Sequence, residues 1–161
     1  MGSARGWVIG TSLVLLLIAG ILQAVLASGP SDERLIREAL RESLLASREG
    51  RPGGVVELLS DQLEFNNELV ANKRQIAQFV RDSRPDVSVS EKSLEVRGEN
   101  ALMVANVTVR LATPLGINLD RTFDDVQLLF RKEPGTRLLI LPDSKWRLYR
   151  VVAPNANVSE L

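Results

Sequence analysis

Residues 85–111 read PDVSVSEKSLEVRGENALMVANVTVRL, and within this stretch the spacing of the apolar side chains changes period. Before Pro85 apolar residues recur every three or four positions, as on one face of a helix. Beyond it Val87 and Val89, then Leu94 and Val96, alternate with polar residues as on a half-buried strand. Arg97-Gly98-Glu99-Asn100 has the composition of a turn, and Ala101 to Leu111 is apolar and rich in β-branched side chains. Helices that come first and strands that follow a single switch describe an α+β domain, with helices on one face of a curved antiparallel sheet.

Downstream, Thr113-Pro114-Leu115-Gly116 breaks the second strand and a third spans Arg121 to Lys132. Phe123 stands one residue out of phase with Val126, Leu128 and Phe130, which predicts a β-bulge between them. Pro134-Gly135 reads as a turn, followed by extended segments Leu138–Leu141 and Trp146–Val152 interrupted at Pro142-Asp143-Ser144.

Upstream, a first helix is expected over Asp32–Glu49, with Ile36, Ala39, Leu40, Ser43 and Leu44 as its apolar or small stripe. Ser31 precedes it as a candidate N-cap, and Glu33/Arg37 and Arg34/Glu38 are spaced to pair on the outer face. Gly50, Pro52 and Gly53-Gly54 end it. A short second helix is expected over Val55–Asp61, with Leu63 to Val70 turning the chain. A third starts at the candidate cap Asn72, with Gln75 placed for a capping box, buries Ile76, Phe79 and Val80, and stops at Pro85. The expected core is Ile36, Leu40, Leu59, Ile76, Val80, Val104, Val107, Val126, Leu128, Leu148 and Val152.

Trp7 to Ala27 reads WVIGTSLVLLLIAGILQAVLA, without a charge. About 20 apolar residues in a helix span the ~30 Å hydrocarbon layer, so residues 7–27 are expected to cross a membrane once. Arg5 lies before the segment and Asp32-Glu33-Arg34 after it, which favours a cytoplasmic N-terminus of residues 1–6 and an extracytoplasmic C-terminal domain at the cell membrane. The alternative is a cleaved signal and a secreted product, since Val25-Leu26-Ala27 offers a small-residue site before Ser28. The remaining organisation is a linker over 28–31, one domain over 32–153 and a flexible tail over 154–161.

The chain has 161 residues, 20 acidic and 20 basic side chains, no cysteine and no histidine. Those two absences exclude a thiolate nucleophile, a disulfide, a Cys/His zinc site and a Ser-His-Asp triad. Arg5 is the only charged side chain before Ser31, so the rest carries a formal charge of −1 with mixed signs, which gives no footprint for nucleic acid. Asp120, Asp124 and Asp125 lack the alternation and the glycine of a calcium loop. No cofactor is expected.

Three strings in order carry a family resemblance: Asn72-Lys73-Arg74-Gln75-Ile76-Ala77-Gln78-Phe79, Val96-Arg97-Gly98-Glu99-Asn100-Ala101, and Lys145-Trp146-Arg147-Leu148-Tyr149-Arg150-Val151-Val152. With the order of elements, residues 32–153 resemble the nuclear transport factor 2-like superfamily of cone-shaped domains. That superfamily includes steroid isomerases, polyketide cyclases and many non-enzymatic modules. Asn72 and Lys145 depart from the glycines usual at those places. The resemblance implies a hollow cone lined by helices and alternate strand residues. Its membrane-anchored members, such as components of secretion systems and accessory proteins of mycobacterial lipid-import complexes, are the nearest functional analogues.

Fold supports many tasks, so function rests on a site. Asn106 and Gln127 are polar residues within strands whose neighbours are apolar and, with Tyr149, the only tyrosine, are the candidates for a ligand pocket. Asp124 and Asp125 are expected in water and Trp146 in the core. Asn106-Val107-Thr108 and Asn157-Val158-Ser159 match the glycosylation pattern. With no catalytic constellation, the leading reading is a single-pass, non-catalytic interaction or assembly module whose partners are the lipid bilayer and a membrane protein or second copy. The first alternative is a carrier of a small apolar ligand oriented by Tyr149 or Gln127, which requires an apolar cavity of several hundred Å³. The second is an isomerase- or cyclase-like enzyme, which requires a carboxylate of raised pKa inside the cone.

Overall fold

The computed structural model describes residues 30–69, 72–112, 118–137 and 141–154. The apolar segment 7–27, the cleavage motif before Ser28, the break at Thr113–Gly116, the extended segment at 138–140, the second glycosylation pattern and the tail beyond Pro154 lie outside the described residues. Among the described residues no helix is long and apolar enough to cross a membrane. The fold occupies the compact unit Asp32–Leu161.

Helix α1 (Asp32–Arg48) has the amphipathic stripe its sequence implies, with Ile36, Ser43, Ala46 and Ser47 buried. Its end is a Schellman motif: Gly50, at φ 68°, donates its N–H to Ser47 O (3.0 Å) and Arg51 donates to Ala46 O (2.8 Å). Ser47 Oγ donates to Pro85 O at 2.9 Å, which ties α1 to the start of the strand region. Helix α2 (Pro52–Leu58) begins at proline, whose missing N–H is harmless there. An ideal Cβ on Gly54 would stand 2.7 Å from Ala46 Cβ, so glycine lets α2 approach α1 closely.

The expected second helix, Val55–Asp61, is therefore displaced, and the chain expected to turn after it is a strand. Strand β1 (Leu59–Phe65) joins the two-residue β2 (Glu68–Leu69) through Asn66-Asn67. Both asparagines have positive φ, 48° and 69°, which makes a two-residue type I′ hairpin. Helix α3 (Lys73–Ser83) starts at Asn72, whose side chain accepts the Arg74 N–H at 2.8 Å, and ends at Arg84 in the left-handed region. It packs chiefly on α2, which leaves Phe79 49% exposed rather than buried as expected.

Four long strands follow: β3 (Asp86–Arg97), β4 (Asn100–Ala112), β5 (Asn118–Arg137) and β6 (Leu141–Val152). The sheet order is β2-β1-β6-β5-β4-β3. It is mixed rather than antiparallel, because β1 runs parallel to β6. Pro134-Gly135 and Pro142 lie within the β5–β6 ladder and not at turns. Beyond Arg131 strand β4 no longer accompanies β5, so Pro134 sits where its missing N–H costs no ladder bond.

Among β3–β6, three register shifts bend the sheet. Strand β4 keeps strict alternation, while β3 carries an extra residue between Glu91 and Ser93, and β5 is irregular between Phe123 and Val126, where the sequence places the bulge. Asp125 takes φ 55° there and donates its N–H to Asn106 Oδ1 at 3.2 Å. The third shift places Tyr149 as the extra residue of β6. It rephases the strand, so that Leu148 and Val151 face the core in place of the expected Leu148 and Val152.

The core joins Ile36, Leu58 and Leu59 to Ala101, Met103, Ala105, Val126, Leu128, Phe130, Trp146, Leu148 and Ala153. Leu40, Ile76 and Val107 pack against it part-buried. Val104 was expected inside but lies between Met103 and Ala105, both inward, so alternation puts it on the convex face.

Candidate functional site

Between α1 and the concave face of the sheet there is a cavity of about 260 Å³. Alternation builds its floor: Val87 and Val89 from β3, Val107 and Val109 from β4, Phe123, Val126 and Leu128 from β5, and Leu148 and Val151 from β6. Leu40, Ser43 and Leu44 of α1 form its roof, with Leu58, Leu59, Phe65 and Ala153 closing the side. The bulges shape this floor, because without the extra residues of β5 and β6 Phe123 and Val151 would not share it with Val126 and Leu148.

Asn66 holds the side wall together. Its N–H donates to Val151 O (2.9 Å), its Nδ2 donates to Ala153 O (3.2 Å) and its Oδ1 accepts the Ala153 N–H (2.8 Å). The three bonds continue the β1–β6 pairing past Phe65 and fix Phe65, Val151 and Ala153 against one another.

Among the described residues no charged side chain lines this cavity, and Ser43 is the one polar lining residue. The described carboxylates lie elsewhere, and each that departs from its ordinary value is held below it. Hydrogen bonding from Lys132, joined by Trp146 Nε1, lowers Asp32, Lys145 lowers Glu57, Lys73 lowers Asp61 and Arg37 lowers Glu91. Burial pushes Glu133 upward, but hydrogen bonds from Ser60 and Arg131 and the charges of Arg131 and Arg147 outweigh it. A general acid in an apolar pocket needs the opposite shift.

A second, larger cleft of about 400 Å³ lies between α1, α2 and β6. It is half polar, lined by Glu38, Glu42, the Glu57–Lys145 ion pair and the edge of Trp146. Trp146 is otherwise a core residue, as expected, with its Nε1 donating to Asp32 Oδ1 at 3.1 Å.

None of the three pocket candidates lines either cavity. Gln127 is exposed on the convex face, in register with Val104 and Val152. Asn106 spends its side chain on the Asp125 bulge. Tyr149 lies beside two guanidinium groups, Arg131 at 5.2 Å and Arg150 at 5.8 Å from its ring. The structure thus keeps these residues apart from the cone interior. Asp124 and Asp125 are exposed, as expected, and Asp125 pairs with Lys92 at 2.8 Å. The sequence contained the missed residue in plain view: Ser43 interrupts the apolar stripe of α1, and counting it merely as small hid its hydroxyl.

No protein-family model matches the chain and no curated protein matches its sequence. Solved structures do match its shape. An NTF2-like protein of unknown function in nutrient uptake from Rhodospirillum rubrum is similar over 76% of this chain and 96% of its own, at 19% identity and a TM-score of 0.56. A nuclear transport factor 2-like superfamily protein from Salmonella enterica serovar Typhimurium matches 81% of this chain and 99% of its own, at 14% identity and 0.56. A protein from Xanthomonas campestris, described as a candidate calcium/calmodulin-dependent protein kinase II association domain, matches 78% and 91% at 17% identity and 0.55. At these identities the likeness is one of fold. The domain has the nuclear transport factor 2-like α+β fold that its sequence resembles.

Proposed function

We propose that this domain binds a small apolar ligand without transforming it, and that residues 7–27 hold it at the outer face of a membrane. One observation carries the binding reading: the cone is not filled by side chains, and a cavity of about 260 Å³ lined by apolar residues and Ser43 remains under α1. An apolar lining of this kind favours apolar molecules. The absence of histidine and cysteine, together with carboxylates held low and away from the cavity, favours binding over proton transfer. The anchor rests on the length of the uncharged run from Trp7 to Ala27.

Naphthalene is the probe that tests the binding. Titrated into the wild-type protein it is expected to bind at one site, and Leu44→Trp, which places an indole in the roof, is expected to abolish binding while leaving the circular dichroism spectrum intact. Equal binding to both proteins refutes the assignment.

The assembly reading rests on a different surface. Leu102 faces Leu129, and Val104 lies in register with Gln127 and Val152, on the side of the sheet away from the core. This part-apolar strip is where a membrane protein partner or second copy would dock. It is separable from the cavity by mutation: Leu129→Lys is expected to disrupt self-association in analytical ultracentrifugation without altering naphthalene affinity.

A further inference from the structure

We infer that the cavity selects an uncharged molecule carrying one hydroxyl or carbonyl group, which Ser43 Oγ reads by a single hydrogen bond; this rests on the proposed ligand-binding role. Ser43 is 6% exposed and lines the cavity, and its hydroxyl has no hydrogen-bond partner among the described residues. It stays reachable from the cavity, since no fully enclosed side-chain polar atom lacks a partner. That oxygen is therefore open to water, and a ligand hydroxyl or carbonyl that bonds it replaces the bond to solvent, whereas a wholly apolar ligand removes that bond without replacing it. Ser47, one turn further along α1, shows the contrast: it is a similarly buried residue, but its hydroxyl donates to Pro85 O.

The rest of the lining limits what else the ligand carries. With Leu40 and Leu44 flanking Ser43 and valines opposite, a charge in the cavity would find no counter-charge, and desolvating it would outweigh any apolar contact. Size sets the other limit. A dry cavity of ~150 Å³ accommodates benzene, so about 260 Å³ corresponds to roughly 10 non-hydrogen atoms.

Naphthalene, 1-naphthol and 1-naphthoate share one skeleton and separate these points when titrated calorimetrically into wild type, Ser43→Ala and Ser43→Cys. Wild type is expected to bind naphthalene and 1-naphthol and to reject naphthoate by more than tenfold. In Ser43→Ala the affinity for naphthalene should stay within about twofold, while the ratio of naphthol to naphthalene affinity falls about threefold to tenfold, the worth of one net hydrogen bond. Ser43→Cys, a weaker donor of similar size, should lie between. An unchanged ratio in both variants, or naphthoate binding as tightly as naphthol, overturns the selectivity and leaves the cavity assignment standing. If neither neutral probe binds wild type, the binding role itself fails and the selectivity with it.

Discussion

Replacing Asn66 with alanine should destabilise the domain by about 2–4 kcal/mol, and the structure says why. The change deletes the Nδ2–H donated to Ala153 O and the Oδ1 that accepts the Ala153 N–H, and Ala153 is buried. A buried backbone N–H left without its acceptor costs about 1–3 kcal/mol. Alanine at φ 48° adds about 1 kcal/mol, because a Cβ crowds the carbonyl there while asparagine tolerates the conformation. Asn66→Gly separates the two effects: it loses the same bonds but relieves the backbone, so it should be more stable than the alanine variant by about 1 kcal/mol. Urea denaturation of the three proteins provides the test, with the midpoint falling and the slope unchanged. The pairing joins Phe65 to Val151 and Ala153 in the cavity wall, so naphthalene affinity should fall with stability. A loss below about 0.5 kcal/mol in Asn66→Ala would refute the clamp, and glycine no better than alanine would refute the strain.

Gly54→Val should cost about 1–3 kcal/mol, measured by thermal unfolding, because even the first added carbon would stand 2.7 Å from Ala46 Cβ between two packed helices. Phe130→Ala, at a fully buried position, should cost about 3–5 kcal/mol by urea denaturation. Acid should weaken the fold: Asp32, Glu57, Glu91 and Glu133 have folded values below their unfolded ones, so their contribution is complete above the ordinary carboxylate value of 4.5 and is lost as pH falls through the folded values. Glu133→Gln should flatten that part of the stability–pH curve, and an unchanged curve would count against the Ser60–Glu133–Arg131 network. In a cell expressing the whole chain the protein should remain with membranes after carbonate extraction, whereas a soluble product beginning at Ser28 would remove the anchor.

How far the sequence was legible follows from how local each signal is. Period change at Pro85, the cap at Asn72 and the glycine stop after α1 depend on neighbouring residues, and the structure has each of them. The bulge before Val126 was visible because Phe123 broke a strict alternation. Strand β1 was not, since its pairing partner β6 lies more than 80 residues away and its own pattern, LSDQLEF, has no clear period. The one local hint was Asn66-Asn67, which suits a type I′ turn. The bulge at Tyr149 was hidden because Arg147-Leu148-Tyr149-Arg150-Val151-Val152 alternates plausibly in either phase. That single slip moved Val151 into the cavity wall in place of Val152, while Tyr149 lies opposite Leu148 in either phase. Asn106 and Gln127 stand out in the sequence only because their strand neighbours are apolar. The cavity is defined instead by what alternation puts inward and by one serine on a helix.

Diffraction from crystals soaked in iodobenzene tests the existence of a vacant, apolar-accepting cone most directly, since iodine is located by its own anomalous signal. The account predicts a peak in van der Waals contact with Leu44, Phe123 and Val126, lost in crystals of Leu44→Trp. Iodine found only on the outer surface, with the valine and leucine side chains closed over the space beneath α1, would contradict it.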